Sequence, residues 1–576
     1  MKTRGSTKEY FFPLDFSFYF LSRIPYVCGK IRQMRFFLIV SFFVLTQVQN
    51  LVAQSHPQPY SFHFYQKLSR DVYNKNTRFH SSLKPFIAND SLLVHSVDSL
   101  LSVGVDSSRS DWIKRKLFNE HLIDVRRGDY MAYVDFLPDF LVGNADGSGT
   151  WLNTRGFQIG GTIGKNFYFY TSGFENQGRF ADYYTNYINT TRVVPGQFYD
   201  RNAHIPGPTK DWSYVTALIS YTPSKYINIT LGQDKNFIGD GYRSMLLSDY
   251  SSNYPFLKLT GNLGSVQYMA MWAALQEPNG TKFSYDSGNR RKGGVFHYLD
   301  WNVNNRLSLG FFDAVIWSQY DDEGNKRGFD WGYASPIIFL RPNEATSGSP
   351  DNAAMGLTGK YEIFNKMAVY GQFFLDEFQA KEFFSKAGSN RNKYGIQLGL
   401  RGADLLKVNS LNYLLEFNTA KPYTYSSRKS DLNDRDFSML TYGHYSEPLA
   451  HPYGANFREL VGILSWSKHQ LDLQGQFNLA KYGLDRLNEA TNYGKNIYRP
   501  YNTQFSRSNG NFLGQGNTTA LAYLEGTASY LLNPKYNLRL ELKGILRNEK
   551  QSITSNSTAW VMFGLRSSFR NLYQDF

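Results

Sequence analysis

The chain has 576 residues, among them 42 Tyr, 45 Phe, 48 Gly and a single Cys, and carries a formal charge of +14; its mean hydropathy is −0.44. So many rings in so polar a chain exclude an ordinary soluble core, which would draw more heavily on Leu, Ile and Ala. They fit an outer-membrane β-barrel, where rings form interfacial girdles and a lipid-facing wall while every second strand residue faces a wet lumen.

The N-terminus reads as a leader. Met34 and Arg35 open MRFFLIVSFFVLTQVQNLVAQ, with an apolar run from Phe36 to Leu45 and Ala53 before Gln54. That is the pattern of a secretory signal peptide, too short for a stable transmembrane helix. Residues 1–53 are therefore expected to be an upstream extension plus signal, with Met34 the true start. Their removal takes away seven Lys/Arg, two Asp/Glu and Cys28, leaving a cysteine-free chain of charge +9. A cysteine-free chain suits the oxidising periplasm and outer membrane and excludes disulfides and Cys-ligated zinc. The residual positive charge attracts acidic polysaccharide or the phosphates of outer-membrane lipids, and a secretion signal excludes nucleic acid as a partner.

Residues 54–125 carry helical spacing. Phe64, Tyr65, Leu68 and Val72 share a face within Ser61–Asn76. Asn89-Asp90-Ser91 precedes Leu92, Leu93, Val97, Leu100 and Leu101, and Ser110-Asp111 opens a third stretch with Trp112, Ile113, Leu117, Phe118 and Leu122. These predict three short helices in a small periplasmic part.

From about residue 126 to 576 the period switches to two. Leu471, Leu473, Phe477 and Leu479 alternate with Asp472, Gln474, Gln476 and Asn478; Leu538, Leu540 and Leu542 alternate with Arg539, Glu541 and Lys543; Tyr394, Ile396, Leu398 and Leu400 alternate with Gln397 and Arg401. Tight turns are expected at 164–166, 222–225, 261–264, 303–305, 364–366, 467–469 and 533–535, with a looser one at 402–410. Long polar connections occupy 175–211, 233–253, 318–355, 418–455 and 481–518. Eight short turns on one side and long loops on the other predict an all-β transmembrane fold, an outer-membrane antiparallel barrel of about 18 strands. The terminal Phe576 resembles the aromatic end of a last barrel strand, although Gln574 breaks the alternation.

Catalytic motifs are missing. There is no HExxH or GxSxG, Gly164-Lys165 and Gly359-Lys360 lack the rest of a phosphate loop, and Asp376 and Glu377, adjacent on a strand, point to opposite faces. His444 and His451 are too isolated to claim a metal, and nothing calls for a cofactor. Three loops carry the interest: Gly232–Thr260, Gly328–Gly356 and Tyr442–Leu460. Rings beside acids, amides and arginines suit sugars, which stack C–H faces on rings and hydrogen-bond at their edges. Tyr242, Arg243, Trp331 and Tyr445 are the candidates to stack or clamp a polysaccharide, and Asp240, Asp249, Asn352 and Glu447 the candidates to accept its hydroxyls, with Arg341 a further candidate. The same loops are equally suited to fold inward and plug the pore.

The stretches GDGYRSMLLSDYSSNYPFLKLT, RPNEATSGSPDNAAMG, YGQFFLDEF (Tyr370–Phe378), KPYTYS (Lys421–Ser426) and HYSEPLAHPYGANFREL resemble the Wzi-type family of capsule-assembly outer-membrane proteins, in particular its gliding-motility (RemB-like) branch. The resemblance implies an 18-stranded barrel with a periplasmic helical part. It also implies a lectin-like, non-enzymatic role in holding capsular or other extracellular polysaccharide, with capsule-export or gliding machinery as further partners. Two other readings stay open: a diffusion channel whose selectivity is set by Arg401, Arg539, Glu541 and Lys543, and a surface component of the gliding apparatus that binds protein.

Overall fold

Between Tyr130 and Ser567 the alternating stretches become eighteen antiparallel strands, each paired with its neighbours in sequence. In chain order they are β1 (Tyr130–Ala145), β2 (Ser148–Ile163), β3 (Phe167–Arg179), β4 (Thr209–Ser224), β5 (Ile227–Asp234), β6 (Tyr254–Leu263), β7 (Val266–Glu277), β8 (Arg290–Asn302) and β9 (Leu307–Ser318). The second half comprises β10 (Asn352–Phe364), β11 (Met367–Glu377), β12 (Lys393–Gly402), β13 (Leu411–Ala420), β14 (Phe457–Lys468), β15 (Leu471–Leu484), β16 (Asn517–Asn533), β17 (Leu538–Lys550) and β18 (Ser555–Ser567). The computed structural model describes residues 59–576 apart from 87–90, 204–206, 285, 287, 337–350, 385–386, 431–435, 568 and 571. The expected leader and Arg341 lie outside the described residues.

The ring closes where β18 pairs with the upper part of β1, from Trp560 opposite Ala145 to Arg566 opposite Asp139. The first residues of β1, Tyr130–Val134, instead pair with a preceding short strand, Ile123–Arg127. All eight expected short turns fall at one end of the barrel. The opposite end carries connections 180–208, 235–253, 278–289, 319–351, 378–392, 421–456 and 485–516, together with two tight ones at 146–147 and 551–554.

The wall is inverted relative to a soluble barrel. On β17, Leu542 is 50% exposed on the outside while its neighbour Glu541 is 4% exposed and faces inward. Apolar side chains outside and charges inside are stable only when the outside is lipid. On β14 the outward residues Leu460, Gly462, Leu464 and Trp466 lie between Arg458 and Lys468. Ten residues at about 3.3 Å each, tilted by about 40°, give an apolar band of roughly 25 Å, the height of a membrane barrel's lipid-facing wall. Tyr221, Trp301, Tyr361, Phe364 and Tyr530 are exposed near the short-turn end, as an interfacial girdle requires.

The lumen is filled by the chain's own segments. The first expected helix is broken into α1 (Phe62–Gln66) and α2 (Ser69–Val72), followed by α3 (Ser91–Leu100) and α4 (Trp112–Phe118); Asp111 caps α4, accepting from the Lys114 N–H at 2.9 Å. The expected division at residue 125 is not a packing boundary. Tyr60, Phe62, Tyr65, Leu68, Val72 and Tyr73 are buried, because the face that reads as a helical core finds its apolar partners on Phe237, Tyr242, Tyr370 and Leu414. Lys67 pairs with Asp472 of β15 at 2.7 Å, and Leu83–Lys84 forms a two-residue ladder with Phe237–Ile238. α4 stays at the rim, where the Asn533 amide donates to the carbonyls of Lys116 (3.1 Å) and Glu120 (2.9 Å).

The C-terminal expectation also needs correcting. The last strand ends at Ser567, and Tyr573–Asp575 are buried. The Phe576 ring packs on Tyr187 with centroids 4.5 Å apart, so it does not end a lipid-facing strand. Gln574, the residue that broke the alternation, accepts from Lys543 Nζ at 3.2 Å.

Leu524 sits outward in the middle of the apolar band, on the rung shared with Phe477 and Leu546. Leu524→Arg is expected to lower stability by about 2–4 kcal/mol in denaturant titrations of the barrel in lipid vesicles. An unchanged midpoint would mean that this wall does not face the bilayer.

Candidate functional site

The loop between β5 and β6 organises the lumen. Every residue from 236 to 253 is buried. Gly239 sits at φ +137°, and a Cβ there would collide with the Gln372 amide, so only glycine allows this approach to the wall. Two buried charge centres flank it.

The first is Asp240. Its carboxylate accepts from Tyr73 Oη (2.9 Å), Ser81 Oγ (2.6 Å) and Ser82 Oγ (2.9 Å). Arg401 donates to the Asp240 carbonyl and, at 3.0 Å, to Ser69 Oγ, while Lys360 Nζ donates to Ser81 Oγ at 2.8 Å. Burial raises the Asp240 pKa, but Lys360, Lys84, the Ser81 hydroxyl and Arg401 outweigh it and bring the group down to about 2.

The second is Arg243, 1% exposed, whose guanidinium reaches Asp575 at 2.9 Å and Glu459 at 3.1 Å. Glu459 also meets His451 Nε2 at 2.8 Å. The backbone N–H groups of Tyr242 and Arg243 donate to Glu416 at 2.9 and 3.1 Å, and Tyr370 Oη adds a third donor at 2.7 Å. Tyr242 Oη donates to Asp575 at 2.9 Å. Three segments distant in sequence thus meet on one cation.

The other candidates join the same packing. Asp249 accepts from Tyr573 Oη at 2.5 Å, and Glu447 from the Gly196 N–H at 2.9 Å, with burial pushing the Glu447 carboxyl up. Tyr445 donates its N–H to the Gln276 carbonyl (2.9 Å) and stacks its ring on Phe198 (4.6 Å). Asn352 donates to the Leu440 carbonyl at 2.9 Å. Trp331 alone is open, at 81% exposure. It sits beside Phe329 in a turn whose Tyr333 covers outward-facing Val295, Val315 and Trp317, at the outer rim of the wall. Arg341 lies outside the described residues. The structure therefore brings Asp240, Tyr242, Arg243, Asp249, Tyr445 and Glu447 into plug packing, and leaves Trp331 apart from them.

The charges read as possible selectivity residues are also engaged. Glu541 meets Arg539 (2.9 Å) and Arg566 (2.6 Å), Arg566 meets Asp139 (2.8 Å), and Lys543 meets Glu525 (2.9 Å). The partners that sequence reasoning did not single out are Glu416, Glu459, Lys360 and Asp575. The first three occupy inward positions of alternating strands, which was their only signal.

At the long-loop end, connection 485–516 offers a surface passed over as polar filler. Phe512 is 59% exposed, and Phe505, Asn488, Asn502, Gln504 and Asn509 are exposed with it. The loop is held by Arg499, which pairs with Asp436 and Asp485 at 2.6 Å each. Its neighbour, 378–392, is tied to it through the Gly510 N–H donating to Ala387 O (2.7 Å) and the Asn390 N–H donating to Ser508 O (3.0 Å).

Removing the single cation of the second centre leaves Asp575 and Glu459 buried without it. Arg243→Met is expected to cost about 3–5 kcal/mol and to produce conductance steps in planar bilayers. Tyr242→Phe, which loses one hydrogen bond, is expected to cost about 1 kcal/mol. Equal stability of Arg243→Met and wild type would show that this cluster does not hold the plug.

Acid is expected to loosen the 436–456 region. His444 Nδ1 accepts from the Gln276 N–H (3.0 Å), and its Nε2 faces the Asn253 carbonyl (3.3 Å), so the ring is held neutral with its proton on Nε2. Burial, aided by Lys292, brings its pKa down to about 3. The unfolded ring takes up a proton near pH 6.5 and the folded one does not, so stability falls as pH drops below that value. Hydrogen exchange across 436–456, corrected for intrinsic rates, is expected to speed up between pH 7 and pH 4.5, and less so in His444→Gln. Identical pH profiles would remove His444 as the cause.

No family model and no curated protein matches the chain. Among solved structures, it is similar to Wzi of Escherichia coli, described as an outer-membrane protein involved in group 1 capsule assembly and a carbohydrate-binding β-barrel. That match has 12% identity and a TM-score of 0.49, covering 90% of this chain and 100% of that one. It is also similar to OprD of Pseudomonas aeruginosa (11% identity, TM-score 0.39, 79% and 98% covered) and to OccAB2 of Acinetobacter baumannii (10%, 0.39, 75% and 96%).

Proposed function

We propose that this outer-membrane barrel is a non-enzymatic surface protein whose long-loop end faces outward and binds extracellular or capsular polysaccharide, in capsule assembly or attachment or in adhesion during gliding. The observation that carries this reading is the filled lumen. Segments 60–86, 235–253, 421–430 and 436–456 and the C-terminal residues interlock across the barrel through the Asp240 and Arg243 centres. A lumen occupied in this way favours a fixed outer surface over a path for solutes. The resemblance of stretches such as HYSEPLAHPYGANFREL to the capsule-assembly family points to the same reading.

Because Tyr242, Arg243, Asp240 and Glu447 are committed to the plug, the binding face is assigned to the outer loops, chiefly 485–516. Phe505 and Phe512 offer ring faces there, and Asn488, Asn502, Gln504 and Asn509 offer amides. The plug's role is to hold these loops in one arrangement, which lowers the ordering cost of binding a flexible polymer.

The test is binding of the strain's own purified polysaccharide to the reconstituted barrel, alongside bilayer conductance. Wild type is expected to bind and to pass no sustained current, with Phe512→Ala/Gln504→Ala binding about tenfold more weakly, a loss of ~1.4 kcal/mol. A large open-channel current in wild type would overturn the closed-lumen reading in favour of a diffusion channel. A barrel that ignores the polysaccharide but retains a protein from gliding cells would move the function to the gliding machinery.

A further inference from the structure

The outward wall of β14 to β17 is unlike the rest of the barrel. Backbone pairing sets Arg458 opposite Lys481, Lys481 opposite Ala520 and Ala520 opposite Lys550, so one rung carries three outward cations. All three are exposed, and among the described residues none forms an ion pair. On β2 to β4 the outward charges are matched: Arg201 bridges Glu175 (3.0 Å) and Asp211 (2.8 Å), and Arg155 stands opposite Glu175 in register.

Towards the membrane centre on the same four strands lies an apolar groove. Gly475, Gly526 and Gly544 are consecutive partners on one rung, and a Cβ added at any of them would meet no atom within 4 Å. The groove is flanked by Leu464, Trp466, Leu542 and Val561. Glycine weakens a strand interior, and three in register leave a channel in a surface that leucines cover elsewhere. This rung lies six residues from the cationic one, roughly 20 Å along the strand, with Leu479, Phe477 and Leu524 between them. The cations therefore stand at the long-loop edge of the apolar band and the groove lies within it.

We propose that β14–β17 bind a phosphorylated glycolipid of the outer leaflet. Arg458, Lys481 and Lys550 take its phosphates, and the glycine groove takes an acyl chain. Charge complementarity selects this occupant: an uncompensated cationic row at headgroup height, with an apolar groove six residues further into the band on the same strands, matches a lipid that is anionic at its head and apolar below. An acidic polymer would satisfy the cations and leave the groove unused. The proposal shares with the polysaccharide reading only the outward orientation of the long loops, and it succeeds or fails independently of loop 485–516.

The experiment uses the full barrel in phosphatidylcholine nanodiscs doped with rough lipopolysaccharide, either carrying its lipid A phosphates or chemically dephosphorylated. Bound lipid is counted by native mass spectrometry, and heat-modifiable gel mobility reports folding. Arg458→Gln/Lys481→Gln/Lys550→Gln is expected to bind the phosphorylated lipid on the order of 100-fold more weakly and to leave binding of the dephosphorylated lipid unchanged. Gly526→Leu, which fills the groove, is expected to weaken binding of both lipids, and Arg155→Gln on β2 of neither. Equal retention of both lipids by wild type, or full retention of the phosphorylated one by the triple variant, would overturn the phosphate site. Complete displacement of the lipid by soluble acidic polysaccharide would overturn the proposal and return the cations to polysaccharide capture.

Discussion

Arg243 is the cation on which the interior depends. It lies fully desolvated between Glu459 of the barrel wall and Asp575 beyond the last strand, while the backbone beside it is held by Glu416. A buried ion pair is a weak source of net stability but a strong source of specificity, because leaving either partner alone is costly. An eighteen-stranded barrel encloses more space than its own inward side chains fill. Here the filling is chain, and chain inside a barrel needs a reason to adopt one arrangement. The two charge centres supply it, each joining segments that are hundreds of residues apart in sequence.

This arrangement separates two jobs that the loops could have combined. Residues that look well suited to sugars, with rings beside acids and arginines, are the same residues that satisfy one another inside a filled lumen. Tyr242 can donate to Asp575 or to a ligand hydroxyl, and the surrounding burial decides in favour of Asp575. The rings and amides that remain in solvent are those of the outer loops, chiefly 485–516.

Much of the architecture was legible in the sequence, since alternation is local. Leu540–Leu542 against Glu541–Lys543 declares which face is wet from three or four residues, and the turns at 164–166 and 402–410 punctuate the chain where the strands reverse. The helices after Asp111 and at Ser91 were legible from capping and spacing for the same reason. The candidate site was not. Which partner satisfies Asp240 or Arg243 depends on Ser81, Lys360, Glu459 and Asp575, and nothing within a few residues of either names them. Gln574 was the one local warning, a polar residue where a terminal strand would want an apolar one, and it marks the segment that turns inward.

By itself the sequence determined a strand number of about 18, the facing of the strands with clean alternation and the end at which the long loops gather, because these follow from a period of two and from turn residues acting on their neighbours. Only the tertiary structure decided that residues 60–86 and the C-terminal stretch lie within the barrel, that the aromatic and acidic loop 235–253 is buried in the lumen, and that Arg458, Lys481 and Lys550 share a rung six residues from three glycines. Those outcomes depend on contacts between distant segments, where burial and charge pairing choose among partners that local sequence leaves equivalent.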